Sequence, residues 1–582
     1  MTLIKKTEKI ILNVIKELGY EVEEVTLHSS ECPQYGQFQF NGVMSLAKTA
    51  KKNPKIIANE IIEKLECENI FQNLNVAGPG FINISFSDEV LTEYVNELND
   101  NILNNIDKLE AKKIIIDYGG PNVAKTLHVG HLRSANIGDG LKNLARLLGY
   151  EVIGDAHFGD IGRQFGILIY EIKQKYPDLI YFDESYNGEY PNDSPVSIEE
   201  LNEMYPIGSQ KIKEDEYILA EVRKITSEIM IKPGYKALWQ HIINVSIPKL
   251  KEIYNELNIS FDLWEGETDA YQYIPEVIEI LKNKNLCYKN NGALIVDVAK
   301  PEDKTEIPPI IILKSDGSYL YSTTDLGTVL GRIKRFNPDE IWYVVDNRQQ
   351  LHIEQVFRTV IMSGIVPQNV KLEYCGFGTM NGKDGKPFKT RDGDAMKLED
   401  LLDKVYQVSL ERLNQNITDL EERQQLAKVI GLSALKYADL VPNRSTDYIF
   451  EIDKFCNLNG KTGPYLLYSA VRVKSLLTKA KEQEINYKNY IGPSDEIERE
   501  IIIKLLMLPK VLQNALEFKT LNIIAEYIYT LANSYNSFYE AHFILTEKDR
   551  KKQESWLVLS KVVYETYELI INVLGMRIPD RI

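Results

Sequence analysis

Two histidines three residues apart, His128 and His131, stand where a β-branched run turns into a helix. The run Ile114-Ile115-Ile116 has the composition of a strand buried in a parallel sheet. Ile137, Leu141, Leu144 and Leu148 follow at the 4-3-4 spacing of one buried helical stripe, which Gly149 ends. Residues three apart share a helix face, so both imidazoles can point the same way. Unpaired backbone N–H groups and the helix dipole favour an anion at such a junction. Two imidazoles there would donate hydrogen bonds to a phosphate as its charge changes during a reaction. Gly130 between them leaves a flat ligand room against the backbone. A pair of metal ligands, or two plain surface side chains, would have the same spacing.

Two further constellations could do chemistry. The glycine-rich stretch from Gly376 carries Lys383, Lys386, Lys389 and Arg391 ahead of a helix that starts near Lys397. It reads as a mobile basic loop able to close over a polyphosphate, or as a solvated hairpin tip. Tyr321 and Asp325, four apart at a strand-to-helix turn, can face one pocket, where the ring stacks on a planar cation and the carboxylate pairs with it. Ser322, Thr323 and Asp325 would equally make a helix N-cap cluster.

The elements that must hold these groups alternate β and α through the middle of the chain, with Ile310–Leu313 read as one of the strands. This is the pattern of a doubly wound parallel sheet, whose ligands sit beyond the carboxyl ends of its strands. Residues 1 to about 105 read as a separate α+β unit, with Phe81–Phe86 a half-buried strand. Residues 176–232 are polar and acidic and lose periodicity, as an insertion would; from 397 the chain is mostly helical. The 582 residues suit about three to five domains. No apolar run reaches membrane-spanning length. Five scattered cysteines form no CxxC and read as buried free thiols of a reducing cytoplasm. A net charge of −16 argues against nucleic acid, yet Lys454 to Lys481 holds six Lys/Arg and no Asp/Glu. That window is a candidate phosphate-facing surface or a solvated helix face, and Tyr465 and Tyr468 within it would suit unstacked bases or a core.

The string HVGH resembles the HIGH signature of class I aminoacyl-tRNA synthetases, and GGPNVAKTLHVGHLRSANIGD is similar to its arginyl-tRNA synthetase form. LAKTAKKNPKIIANEI and VAGPGFINISFSD resemble that family's N-terminal domain, and LGMRIPDRI its C-terminus. The resemblance implies an α/β fold: a Rossmann-like catalytic domain over 106–448, an α+β tRNA-contacting domain over 1–105, and an all-α anticodon-binding domain over 449–582. Within the catalytic domain it places a signature loop at 376–393 and a helical junction at 397–448. It implies activation of arginine by ATP, with Mg²⁺, and transfer to tRNA(Arg), with activation tending to need the tRNA. A cytoplasmic monomer is expected. The resemblance assigns phosphate contacts to Gly130, His128, His131, Lys125, Lys386, Lys389 and Arg391; KPFKTRDG departs from KMSKS, leaving open which lysine carries the charge. Arginine would meet Asn122, Glu267, Tyr321, Asp325 and Gln349, and Asp117 its ammonium, although Gly119 and Gly120 stand where the family has a serine. Asp160, Gly162 and Gln164, in a string similar to the family's HxGDxGxQFG, would line the cleft, though Asp160 also reads as a helix cap, and His352 as structural. The rival readings are another HxGH adenylyl-transferring enzyme and a non-catalytic tRNA-binding paralogue.

Overall fold

The computed structural model describes residues 2–30, 35–123, 125–386, 396–413 and 419–582. Four parallel strands form its centre in the spatial order Lys371–Tyr374, Glu340–Tyr343, Lys113–Asp117, Glu151–Asp155. From Lys113–Asp117 the chain winds to one side, and it reaches the other side only at Glu340. The direction of winding reverses between these two strands, which opens a crevice beyond their carboxyl ends. Ile114, Ile115 and Ile116 are fully buried, as a strand covered on both faces requires.

Ile310–Leu313 lies outside this sheet. It pairs antiparallel with Ala293–Val296, which pairs with Cys287–Asn290, in a small separate sheet. Ile310 and Ile312 are buried while Ile311 faces solvent. Four consecutive apolar residues hide that alternation, so the run read as a parallel strand.

The helix Val129–Leu147 starts at the histidines and buries more than one stripe. Arg133, Asn136, Asp139 and Lys142, spaced by three, are also buried, the first two against the helix Leu420–Leu440 and the last two against Ser260. Arg133 pairs with Asp439 at 2.8 Å, Asn136 reaches the Lys436 carbonyl at 3.1 Å, and Lys142 pairs with Asp139 at 2.8 Å. Lys436 donates to the Leu257 carbonyl at 2.8 Å, and burial pushes its ammonium down to about 8. The end of the chain returns here, where Asn258 donates to the Gly575 carbonyl at 2.9 Å and accepts from Arg577 at 2.5 Å.

The first part of the chain is a four-stranded antiparallel sheet with Phe81–Phe86 inside it, flanked by Phe38–Phe40 and Phe71–Ala77. Asn83, on what the sequence of Phe81–Phe86 left as the polar side, is buried too, where it accepts from Gln39 at 2.8 Å and donates to Asn75 at 3.0 Å on the flanking strands. The polar 176–232 segment is largely helical, with Ile198–Glu214 and Glu216–Glu228 packed on Arg163–Lys175. A Ser197–Glu200 capping box starts the first helix, and Leu201, Met204, Val222 and Ile225 supply a sparse apolar face. Cys375 and Cys456 are buried, but Cys67 is exposed in the turn after a helix and Cys287 is half-buried on an edge strand, so the expectation of buried thiols fails at those two. Cys32 lies outside the described residues. Among the described residues no helix is long and apolar enough to cross a membrane.

Candidate active site

His128 is the N-cap of the signature helix, and its Nδ1 accepts the Gly130 N–H at 3.0 Å. The His131 Nδ1 reaches back to accept the His128 N–H at 3.1 Å. A ring nitrogen that accepts carries no proton, so each neutral imidazole keeps its hydrogen on Nε2. Burial, with His128 alongside, pushes His131 down to about 3; burial and the Arg348 and Lys125 charges lower His128. Both rings, 3.8 Å apart, are therefore neutral near pH 7, and each offers an Nε2–H that has no protein partner among the described residues. A methyl group at Gly130 would stand 2.8 Å from the His128 ring, so the space there is filled by the capping imidazole rather than left to a ligand.

The far end of the basic segment is sewn to the same residues. Val129 donates to the Met396 carbonyl at 3.0 Å and Leu398 to the Leu127 carbonyl at 2.9 Å, around a His128–Lys397 bridge. Its near end is held by Met380–Asn381 pairing with Tyr448–Ile449. Lys386 stands on a tight turn that the Asp384 carboxylate caps; Lys389 and Arg391 lie outside the described residues.

Three backbone segments extend the sheet beyond its carboxyl ends. Asn122 bridges Gly159, and Phe158 bridges Gly266. A methyl at Gly159 would meet Asn122 Oδ1 at 2.6 Å and Glu267 Oε1 at 3.5 Å, so these two polar groups flank one bare stretch of backbone. Burial, then the Asp325 and Asp160 carboxylates, push Glu267 up to about 8. Asp325 accepts from His352 Nε2 at 2.5 Å, and the exposed Tyr321 ring lies 4.6 Å from that imidazole. Tyr321 and Asp325 thus meet at His352, and the Asp325 charge reaches Glu267. Ser322 and Thr323 bond strand carbonyls, and it is Thr323, not Asp325, that caps the helix start.

Asp160 accepts the Thr268 N–H at 3.0 Å and the Thr268 hydroxyl, and so pins the turn that carries Glu267. Gly162, at φ +127°, and Gln164, bonded to the Ile161 carbonyl at 3.0 Å, build the turn into the next helix. Asp117 is held by Arg332, whose buried guanidinium bonds Asp117 and Asp155 at 2.6 Å each. Gln349 is exposed on the short turn Asn347–Gln349, started by an Asp346 cap.

A polyanion-ready pair of neutral imidazoles and a cation-ready group of carboxylates therefore share the carboxyl edge of one sheet. The family described as "tRNA synthetases class I (R), catalytic domain" matches residues 91–452. "Arginyl tRNA synthetase N terminal domain" matches residues 5–86 and "DALR anticodon binding domain" residues 466–582. The chain belongs to the arginyl-tRNA synthetase family. An arginine–tRNA ligase of Alkaliphilus oremlandii is 43% identical over 100% of this chain and 99% of its own. One of Agathobacter rectalis is 43% identical, over 98% of this chain and 100% of its own. The arginyl-tRNA synthetase structures of Plasmodium falciparum and Thermus thermophilus share the fold, each with a TM-score of 0.80, at 24% and 19% identity; each covers 100% of this chain, and 99% and 100% of its own.

Within this arginyl-tRNA synthetase family member, the sequence reading left His352, Arg332 and Arg348 without roles at the site. Arg332 lies seven residues after Asp325, two turns along one helix face, a spacing that pointed back to the site. Nothing local marked Arg348, whose contact is with the Asp346 carboxylate. The helical region splits the two suspected tyrosines. Tyr465 is tied to Asn533 at 2.6 Å and Asn536 at 2.8 Å. Arg472 lies over Tyr468 at 4.9 Å and Tyr539 at 5.2 Å, and Phe543 is exposed at the end of the Tyr539 helix. Lys461 and Lys474 of the basic window pair with Glu526 and Asp580. Among the described residues, the group of three candidate metal ligands is Asp495, Glu498 and His542, in this helical region and not at the strand ends. Glu498 is already bonded by Ser494, Tyr490 and Trp556.

Glu267 would give a guanidinium bound beside it a pH signature. A carboxyl near 8 is mostly protonated at pH 7, whereas a guanidinium partner requires the carboxylate. Arginine binding is expected to release up to one proton at pH 7, and affinity to rise by up to about tenfold per pH unit until pH 8. Without ligand, Glu267 withdraws stability as pH rises from about 4.5 to 8, since the native state there holds a proton the unfolded chain gives up. Calorimetry in buffers of different ionisation heat measures the release; a value of zero for the parent protein contradicts this role, and Glu267→Gln removes it.

Proposed function

We propose that the protein is an arginine–tRNA ligase whose strand-edge site works in two steps. The arginine carboxylate attacks the α-phosphorus of ATP, and pyrophosphate leaves with the electrons of the broken P–O bond. A hydroxyl of the tRNA 3′-terminal ribose then attacks the acyl carbon, loses its proton and expels AMP. The residues work by position and charge rather than by covalent chemistry. His128 and His131 hold phosphate oxygens through Nε2–H, and Lys125, Lys386, Lys389 and Arg391 add charge, with Gly130 keeping the capping ring in place. Glu267 and Asp325 take the guanidinium with Tyr321 over its plane; Asn122, Gln349 and Asp117 receive the amino-acid end. Mg²⁺ would come with the triphosphate, because the described residues at the strand ends offer no set of three ligands. The Arg472–Tyr468–Tyr539 stack is the surface offered to unpaired anticodon bases. The reading includes a cytoplasmic monomer, open to light scattering and cell fractionation.

One observation carries the substrate choice: Glu267 is buried within reach of the Asp325 and Asp160 charges, with no Lys or Arg paired to any of the three among the described residues, and a planar guanidinium is the amino-acid side chain that answers two carboxylates at once. The test is ATP–pyrophosphate exchange with each amino acid, with and without total tRNA. Exchange with arginine alone, and only when tRNA is present, is expected. Exchange with another amino acid overturns the specificity, and tRNA binding without any exchange favours a non-catalytic binder.

A further inference from the structure

The 176–232 segment has no function readable in sequence, yet its helix Ile198–Glu214 ends up against the signature loop. Tyr205 of that helix lies under Lys125, whose ammonium stands 5.3 Å from the ring centroid. Beside Lys125, Thr126, Leu127, Asn202, Leu250 and Glu399 line a seam of about 30 Å³, space for about one water and no ligand. Pro206 has no N–H to give the Asn202 carbonyl, which loosens the helix across the turn that lines this seam. Lys249, the other lysine of the seam, is paired with Glu252 at 3.1 Å and Glu399 at 3.5 Å. Lys125 has no carboxylate among the described residues. Its charge nonetheless reaches both signature imidazoles.

A carboxylate partner would neutralise an ammonium meant for phosphate, and a free lysine stem would spread it over many rotamers. An aromatic face does neither: it holds the cation electrostatically and leaves its charge and its N–H groups open. We propose that Tyr205 is a positioning residue, holding the Lys125 ammonium un-neutralised beside the histidine pair, and that this gives the 176–232 segment a part in the activation step. The inference rests on Lys125 being a phosphate-facing group.

The test is a double-mutant cycle read by arginine-dependent pyrophosphate exchange with tRNA present. Lys125→Ala is expected to lose about 10²-fold in kcat. Tyr205→Phe keeps the ring and stays within about twofold, whereas Tyr205→Ala and Tyr205→Leu lose about 3- to 30-fold in kcat with the arginine KM unchanged. In the Lys125→Ala background, Tyr205→Ala costs nothing more. Full activity of Tyr205→Leu, or an equal loss from Tyr205→Ala with and without Lys125, overturns the inference while leaving the function in place. Full activity of Lys125→Ala overturns the role of Lys125 itself, and this inference with it.

Discussion

Replacing His131 by Ala is expected to lower arginine-dependent ATP–pyrophosphate exchange by about 10²–10³-fold, with tRNA affinity nearly unchanged. The size follows from what the ring does twice. Its Nδ1 takes the backbone N–H of His128, which fixes the capping imidazole, and its Nε2–H is one of the two donors proposed to meet the nucleotide. Removing it deletes one donor and unseats the other. His131→Gln, which offers an N–H at about the same reach, recovers part of the loss. Because burial pushes His131 down to about 3, lowering the pH from 8 to 6 does not charge it, and the fall in exchange expected from Glu267 over that interval is not a titration of this ring. Exchange within threefold of the parent for His131→Ala, measured with saturating ATP, arginine and tRNA, would remove the histidines from the phosphate site.

Arg332→Leu is expected to be the most destabilising single change at the site, by about 3–5 kcal/mol. The guanidinium is 2% exposed and bonds two carboxylates and the Tyr343 hydroxyl at 3.1 Å. Without it Asp117 and Asp155 face each other inside the sheet with no cation. Burial already raises the Asp155 carboxyl against the pull of Arg332, so its removal drives that group further up. A carboxyl whose folded value lies above its unfolded one gives up stability as pH rises. The variant therefore melts closest to the parent at low pH and falls away toward pH 8. A melting temperature lower by about 10 °C at pH 7.5, narrowing at pH 5.5, is the expected result. A pH-independent gap would mean lost packing rather than unpaired charge, and adding Asp155→Asn should then restore nothing.

These two residues mark the limits of what a sequence discloses. His131 stood in a string with strand, loop and helix in order around it, and its placement at a helix start followed from those signals. Arg332 carried only its two-turn spacing from Asp325, because its partners lie 215 and 177 residues away and only the pairing of strands brings them together. The same cause hid Tyr205 beneath Lys125. Short runs at 114–116, 152–155, 340–346 and 371–374 marked the four parallel strands, which span 113–117, 151–155, 340–343 and 371–374. Periodicity failed at Ile310–Leu313, where four consecutive apolar residues show no alternation, and at the polar side of the signature helix. Arg133, Asn136, Asp139 and Lys142 look like a solvated stripe until the helix Leu420–Leu440 and the turn at Ser260 are laid on them. The glycines between the strand ends were legible as turns, but the use of Gly159, to bring Asn122 and Glu267 across bare backbone, depended on the register of three segments.

The junction at Lys436 and Asn258 also says something about how the molecule is made. Asn258 bonds Gly575 and Arg577, more than three hundred residues downstream, and buried Arg133 waits for Asp439, which follows it by 306. At about 5–20 residues per second, a ribosome delivers those partners tens of seconds after the signature helix has emerged. Through that interval the nascent helix carries an unpaired stripe of charge, and the segment leading to Glu267 lacks its anchor. Contacts this distant in sequence form late. Truncated chains are expected to have an incomplete arginine pocket even when every residue lining it has been synthesised, so that translation products cut short near residue 570 do not draw on the amino-acid pool.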